Sequence, residues 1–249
     1  MRIIDTNILY YKHKDPKYKV SIENDFITSV NALEFLKNIE KVHTNKAKYY
    51  IPLLNPVHFG VLMDKDLKNR SYNKRLSDSI TFDFKGDFES YVFYNNYSVS
   101  LSINENAQEL FNSSIQFLPK ENYKDIKEKF SFITENKLTC LQIDNRDIEL
   151  SYYLLDKFLK NHSIKEDFRN SWNDLLILSK SINTKSTLVS NDKLLNKFAA
   201  EMFEAKIIAI SHDEIEIDFT KLDNDENKYR KFESKGYLNR GWQYKINKK

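Results

Sequence analysis

Two short stretches near opposite ends of the chain, Ile3-Ile4-Asp5-Thr6-Asn7 and Leu188-Val189-Ser190-Asn191-Asp192, each run from apolar residues into a carboxylate among small polar side chains. A buried strand has this form where it delivers an acid to the carboxyl edge of a sheet. If both strands lie in one parallel sheet, Asp5 and Asp192 converge there. Carboxylates meeting at that edge make a site for a hard cation rather than a salt bridge. Asp174 is the third acid of interest, set in Trp172-Asn173-Asp174-Leu175-Leu176-Ile177-Leu178-Ser179 at the head of an apolar helix. A charge beside four aliphatics must face water, a partner or a cation, because burying it unpaired costs several kcal/mol. By itself it is an ordinary first-turn Asp favoured by the helix dipole; beside two strand-end acids it becomes a third member of a cluster.

The elements that must position these acids alternate between two periods. Arg2–Ile4 is the first strand, and Phe26, Val30, Leu33, Leu36 and Ile39 follow at helical spacing. A second strand is expected over 49–54, running into Asn55-Pro56, with Pro52 at an edge or strand end. Ile80, Phe82 and Phe84 alternate, Lys85-Gly86-Asp87 turns, and Val99, Leu101 and Ile103 alternate again, which predicts a hairpin. A helix is expected after Asn104 and ends before Pro119; another carries Tyr123, Ile126, Phe130 and Ile133. Beyond Leu138 the α/β rhythm returns, with a strand to Ile143, a helix bearing Ile148, Tyr152, Leu155 and Leu159, and a helix over 172–182. Strand Thr187–Ser190, a helix from Lys193 and a strand over 206–210 complete it. Strands alternating with helices predict an α/β fold with a mostly parallel central sheet covered on both faces. The expected division is a core of 1–63 and 137–215, an inserted α+β subdomain over 64–136 with a hairpin and helices, and a C-terminal tail over 216–249. That tail is basic from Lys228 onward and interleaved with Tyr229, Phe232, Tyr237, Trp242 and Tyr244.

Composition narrows the function. The chain has 249 residues, 41% of them hydrophobic and 14% aromatic, enough to bury a sizeable core. A formal charge of +3 permits a nucleic-acid partner without arguing for one. The single Cys140 excludes an intrachain disulfide and a multi-Cys zinc site, and a buried strand thiol suits a reducing, cytoplasmic setting. Four ungrouped glycines exclude phosphate-loop and dinucleotide fingerprints. There is no secretory h-region at the start and no apolar run of membrane-spanning length, so no membrane partner is expected. Five histidines without ligand-like pairing argue against zinc.

The order Ile-Ile-Asp-Thr-Asn early, Asn-Asp-Leu-Leu-Ile-Leu late and then Leu-Val-Ser-Asn-Asp resembles the PIN-domain nucleases. The resemblance covers about 1–63 and 137–212 and leaves the middle and the tail outside it. It implies a three-layer α/β/α domain that binds Mg²⁺ or Mn²⁺ and hydrolyses phosphodiesters, usually in RNA. It implies Asp5 as the first acid, Asp174 as the third and Asp192 as the last, each a catalytic and metal-holding residue. Ser190 and Asn191 match the small polar pair before the last acid, and Asn7 the residue that assists the first. The family also places a Glu after the second strand, and here His58 stands in that place, with Asn55 before it. Asp64 and Glu34 are the alternatives, Glu34 reading first as a solvated side chain of an amphipathic helix. A neutral imidazole ligates Mn²⁺ but is a poor ligand for Mg²⁺.

Lys12, Lys14 and Lys17, in a basic run just past the first motif, either hold a phosphate backbone or belong to a solvated loop. The expectation is a metal-dependent endoribonuclease, with a toxin or host-defence role following from the resemblance alone. An inhibitory or regulatory protein and a second copy of the chain are further partners it leaves open. The alternative is a PIN-like RNA- or protein-binding module whose site has decayed; a DNA nuclease is a third reading.

Overall fold

The computed structural model describes residues 1–41, 47–50, 78–84, 87–163, 168–203, 206–209, 215–222, 233–238 and 241–245. The protein is α/β. Its main sheet has six strands: β1 (Arg2–Ile4), β2 (Phe26–Thr28), β7 (Thr139–Leu141), β8 (Thr187–Ser190), β9 (Lys206–Ala209) and β10 (Ile215–Asp218). They lie in the order β7-β2-β1-β8-β10-β9. The neighbours β7, β2, β1 and β8 are parallel, and β10 runs antiparallel to both β8 and β9. Ile3, Ile4, Ile27, Leu188 and Val189 are fully buried, as expected of strands covered on both faces.

Eight helices are present among the described residues: α1 (Thr6–Lys14), α2 (Ser29–Leu36), α3 (Asn96–Asn104), α4 (Gln108–Ile115), α5 (Lys120–Glu135), α6 (Asn145–Asn161), α7 (Phe168–Asn183) and α8 (Lys193–Phe203). From β1 the chain proceeds to β2 and β7 on one side, whereas from β8 it proceeds to β9 and β10 on the other. The connections from the adjacent parallel strands β1 and β8 therefore leave in opposite directions. Such a switch point opens a crevice at the carboxyl ends of the two strands.

Two remaining groups of strands lie outside the main sheet. Strands β3 (Asn38–Lys41) and β4 (Ala47–Tyr50) form a separate antiparallel pair. Strands β5 (Ser79–Asp83) and β6 (Tyr91–Tyr94) form the hairpin of a second sheet, joined by β11 (Glu233–Leu238) and β12 (Gly241–Lys245) in the order β11-β12-β5-β6.

Several sequence expectations are corrected. The helical spacing from Phe26 conceals a three-residue strand: Phe26–Thr28 is β2, and the helix starts at Ser29 because Thr28 and Asn31 form a reciprocal capping box. The expected second strand over 49–54 overlaps only β4, which pairs with β3 and not with the main sheet; its remainder lies outside the described residues. Val99, Leu101 and Ile103 lie on helix α3, while the antiparallel hairpin partner of β5 is β6. The segment over 216–249 is not one tail. β10 lies in the main sheet, and β12 pairs with β5 in parallel, Trp242 opposite Ile80 and Tyr244 opposite Phe82.

The edge strand β7 is closed by side chains. Asn104 donates to the Cys140 carbonyl at 3.0 Å and accepts from the Cys140 amide at 2.7 Å. Asn96 does the same to Ile143, both at 2.9 Å, and also accepts from the Ser29 hydroxyl at 2.6 Å. Two amides on α3 thus stand where a neighbouring strand would be, which removes an edge open to pairing. Asn96→Ala leaves the Ile143 peptide without these partners. It is expected to lower unfolding free energy by about 1–3 kcal/mol, measured by urea denaturation.

Candidate active site

Asp5, Glu34, Asp174 and Asp192 line one open cleft, whose empty space, mouth included, is about 630 Å³. It lies over the carboxyl ends of β1 and β8. Each acid reaches it by a different local rule. Asp5 follows β1 directly; its amide continues the ladder to the Val189 carbonyl at 3.0 Å, and its carboxylate caps α1 by accepting from the Thr6 amide at 2.6 Å. Asp192 follows β8 and starts α8, accepting from the Leu194 and Leu195 amides at 3.0 and 2.9 Å. Two helix N-termini therefore face the cleft beside its acids, the favourable polarity for negative charge.

Asp174 lies nearly two turns inside α7, not in its first turn as the sequence suggested. The helix-dipole explanation for it therefore lapses. At about 100° per residue, successive residues of Trp172-Asn173-Asp174 point three ways, and residues four apart share a face. Phe168 and Trp172 face the aromatic cluster that holds the hairpin, with ring centroids of Trp172 at 5.1 Å from Phe82 and 5.0 Å from Phe84. Asn170 and Asp174 line the cleft. Arg169 and Asn173 line a groove next to it.

Glu34 supplies the fourth acid. It sits on α2, the helix that follows the true second strand β2, whereas the alternatives His58 and Asp64 lie outside the described residues. It is half-buried and held: the Thr6 hydroxyl donates to Oε2 at 2.7 Å and the Asn173 amide to Oε1 at 2.7 Å. Thr6 in turn accepts from Asn31 at 3.1 Å, and the Tyr10 hydroxyl donates to the Glu34 carbonyl at 2.9 Å. The signal that identifies it is the short apolar run Phe26-Ile27 ending in Thr28-Ser29. It ends in small polar residues, as the two outer motifs do, but carries no carboxylate and is too brief for a periodicity test.

Asp5 is buried at 3% exposure and is the most constrained of the four. Its Oδ2 accepts from the Ser190 hydroxyl at 2.5 Å and the Asn7 amide at 2.9 Å. Ser190 also accepts from the Asp192 amide at 3.0 Å, so one hydroxyl links the first acid to the last. Burial pushes the Asp5 carboxyl up to about 6, the negative charges of Glu34 and Asp192 push the same way, and the hydrogen bonds from Ser190 and Thr6 oppose them.

Oxygen is the common donor. Besides the carboxylates, Asn7 Oδ1 is buried at the cleft without a hydrogen-bond partner among the described residues, its amide nitrogen being spent on Asp5. No group of three His, Cys, Asp or Glu side chains among the described residues is drawn together tightly enough to hold an ion directly. The acids share a cleft without closing on one point. This donor set fits Mg²⁺, which keeps several waters and takes one or two carboxylates directly; it does not fit zinc.

The remaining sequence candidates divide. Asn7 and Ser190 bind Asp5, whereas Asn191 is half-buried and absent from the cleft lining. Of the basic run, Lys12 donates to the Pro16 and Tyr18 carbonyls at 3.0 and 2.7 Å and ties down the loop after α1. Lys14 and Lys17 are exposed and do not line the cleft; the cation that does, among the described residues, is Lys37, at the end of α2. No helix among the described residues is long and apolar enough to cross a membrane. Comparison with protein-family models, with curated proteins and with solved structures yields no match to this chain.

Proposed function

We propose that the chain is a PIN-like, metal-dependent endoribonuclease that hydrolyses RNA phosphodiesters with Mg²⁺ or Mn²⁺. The observation that carries this reading is the sharing of one cleft by Asp5, Glu34, Asp174 and Asp192 at the switch point of a mostly parallel sheet. The presence of Glu34 there also removes the main support for a decayed binding module, which was the His58 departure.

Asp5, Glu34, Asp174 and Asp192 would hold the ion, directly or through water, with the Asn7 amide oxygen beside them. A divalent ion held by them would supply water activation and offset the charge that builds on the phosphodiester in the transition state. The chain's own part is positioning. Ser190 and Asn7 fix Asp5; Thr6 and Asn173 fix Glu34; the α8 N-terminus fixes Asp192. Lys37 brings positive charge to the rim, where a phosphate backbone approaches an otherwise repulsive acidic floor. A cytoplasmic toxin or host-defence role with a regulating protein partner rests on the family resemblance alone.

The test is incubation with mixed RNA and single-stranded DNA in Mg²⁺, Mn²⁺ or EDTA. Cleavage of RNA that needs the metal and disappears in Asp192→Asn supports the reading; tight binding without cleavage in either metal sinks it in favour of the module. Preference for DNA would keep the chemistry and change the substrate. Glu34→Gln is expected to reduce the rate about as far as Asp174→Asn, whereas His58→Ala leaves it within a few-fold. Initial rates on one fluorescent RNA compare the three variants, and an active Glu34→Gln protein would remove Glu34 from the site.

A further inference from the structure

The geometry points to a nucleobase-binding groove beside the acidic cleft, built by β6 and α7, that makes the proposed nuclease selective for single-stranded RNA. This rests on the ribonuclease reading for its substrate but on separate residues for its site.

The groove has about 590 Å³ of empty space, mouth included, and is mostly apolar, with Val30 and Leu33 on α2 forming one wall and Tyr91 to Tyr94 the other. It shares Glu34, Lys37 and Asn170 with the acidic cleft, so the two are continuous. Tyr94 is 48% exposed, one of few large hydrophobic side chains so placed among the described residues. Arg169 sits over the Tyr91 ring at 5.3 Å. Asn173, only 5% exposed, lines the groove with an Oδ1 that lacks a partner among the described residues. An aromatic ring, guanidinium and lysine beside an acceptor amide match what an unstacked base with its phosphate offers: a π-face, negative charge and a ring-edge donor.

The wall is also rigid. Phe82 and Phe84 of the hairpin pack on Trp172, and Phe84 lies 4.7 Å from Phe168. α7 thus fixes β6 next to Glu34 with the same turns that present Asn173 and Asp174. A base seated in the groove places its neighbouring phosphate toward the acids. A paired base keeps its faces in the stack and cannot enter, which is the source of the selectivity.

The experiment measures binding in EDTA, so that it does not depend on cleavage. Fluorescence anisotropy with a labelled eight-nucleotide single-stranded RNA is compared with the same RNA as a duplex and as an abasic oligomer. Expected is tighter binding of the single strand than of either competitor. Tyr94→Ala should weaken it by about 5–150-fold, since stacking on one aromatic is worth roughly 1–3 kcal/mol, and Tyr94→Phe should leave it near wild type. Circular dichroism melts confirm that both variants fold. Equal affinity for duplex or abasic RNA, an unchanged Tyr94→Ala affinity, or no binding of the single strand overturns the groove. Metal-dependent cleavage with any of these results leaves the nuclease reading standing; Tyr94-dependent binding without cleavage in any metal leaves the groove standing and removes the nuclease.

Discussion

Replacing Asp5 by asparagine is expected to abolish the proposed RNA cleavage and, at neutral pH, to raise the melting temperature. The two effects have one origin. Asp5 is buried beside Glu34 and Asp192, and its carboxyl is pushed from 3.8 up to about 6 by burial first and those charges next. A carboxyl with a raised folded-state pKa holds its proton more tightly folded than unfolded. The folded state is therefore favoured at low pH, and that advantage is lost as the pH rises from about 4 through about 6. Above that window the charged group destabilises the fold, by roughly 3 kcal/mol at ~1.4 kcal/mol per pH unit. The neutral amide of Asp5→Asn removes the penalty but turns an amide nitrogen or loses an acceptor toward Asn7 or Ser190, both of which donate to Asp5 Oδ2. The net gain is about 1–3 kcal/mol at pH 7. Differential scanning calorimetry between pH 4 and 8 checks the sign: the gain of Asp5→Asn over wild type should grow with pH and be lost or reversed near pH 4, where only the lost acceptor remains. Added Mg²⁺ or Mn²⁺ should raise the melting temperature of the wild type and not of the variant. Activity should fall by about 10³-fold or more, as for loss of other principal groups that stabilise transition-state charge. A variant that is both less stable at pH 8 and fully active would show Asp5 to be structural.

Much of this arrangement was legible in the sequence, and the misses have a common cause. Asp5 and Asp192 were visible because each ends a short apolar run among small polar residues, and Asp174 because it is a lone charge beside four aliphatics, which burial energetics makes rare. The helices α5 to α8 were visible because their apolar residues repeat at helical spacing over two or more turns. Glu34 was hidden because β2 is three residues long and its Phe26 falls in phase with the helix that follows. With β2 missed, the second strand was counted at 49–54 and the fourth position fell on His58, which lies outside the described residues. Asn96 and Asn104 could not be read as strand substitutes, since their partners Ile143 and Cys140 are far away in sequence. The same holds for the tail, whose β12 pairs with β5 across most of the chain. Local pattern locates acids and long helices; it does not record pairings that depend on topology.

The second large effect lies away from the cleft, at Lys180. Its ammonium, 9% exposed, donates to Asp147 at 2.9 Å and Asp144 at 3.0 Å, and Asp147 is fully buried. Asp147 also accepts from Asn183 at 2.9 Å and closes the capping box that starts α6. The group therefore ties the first turn of α6 to the last turn of α7, the helix that carries Asn173 and Asp174. Burial holds the Asp147 carboxyl up at about 6 even with the cation present, so desolvation outweighs the attraction of Lys180. Lys180→Met strands Asp147 as a buried charge with no cation, and removal of one partner from such a pair costs about 3–5 kcal/mol. For a chain of this size that corresponds to a fall in melting temperature of roughly 10 °C. Asp144, more than half exposed, offers little compensation. The direction with pH follows from the raised Asp147 carboxyl. Without Lys180 it rises further, so the loss should be largest at pH 7–8 and shrink as the pH falls toward 5 and Asp147 takes up a proton. Adding Asp147→Asn to Lys180→Met should restore most of the lost stability, because no buried charge is then left unpaired. Thermal melts of both proteins at pH 5 and 8 decide it: equal destabilisation at the two pH values, or no rescue in the double variant, would assign Lys180 to packing alone.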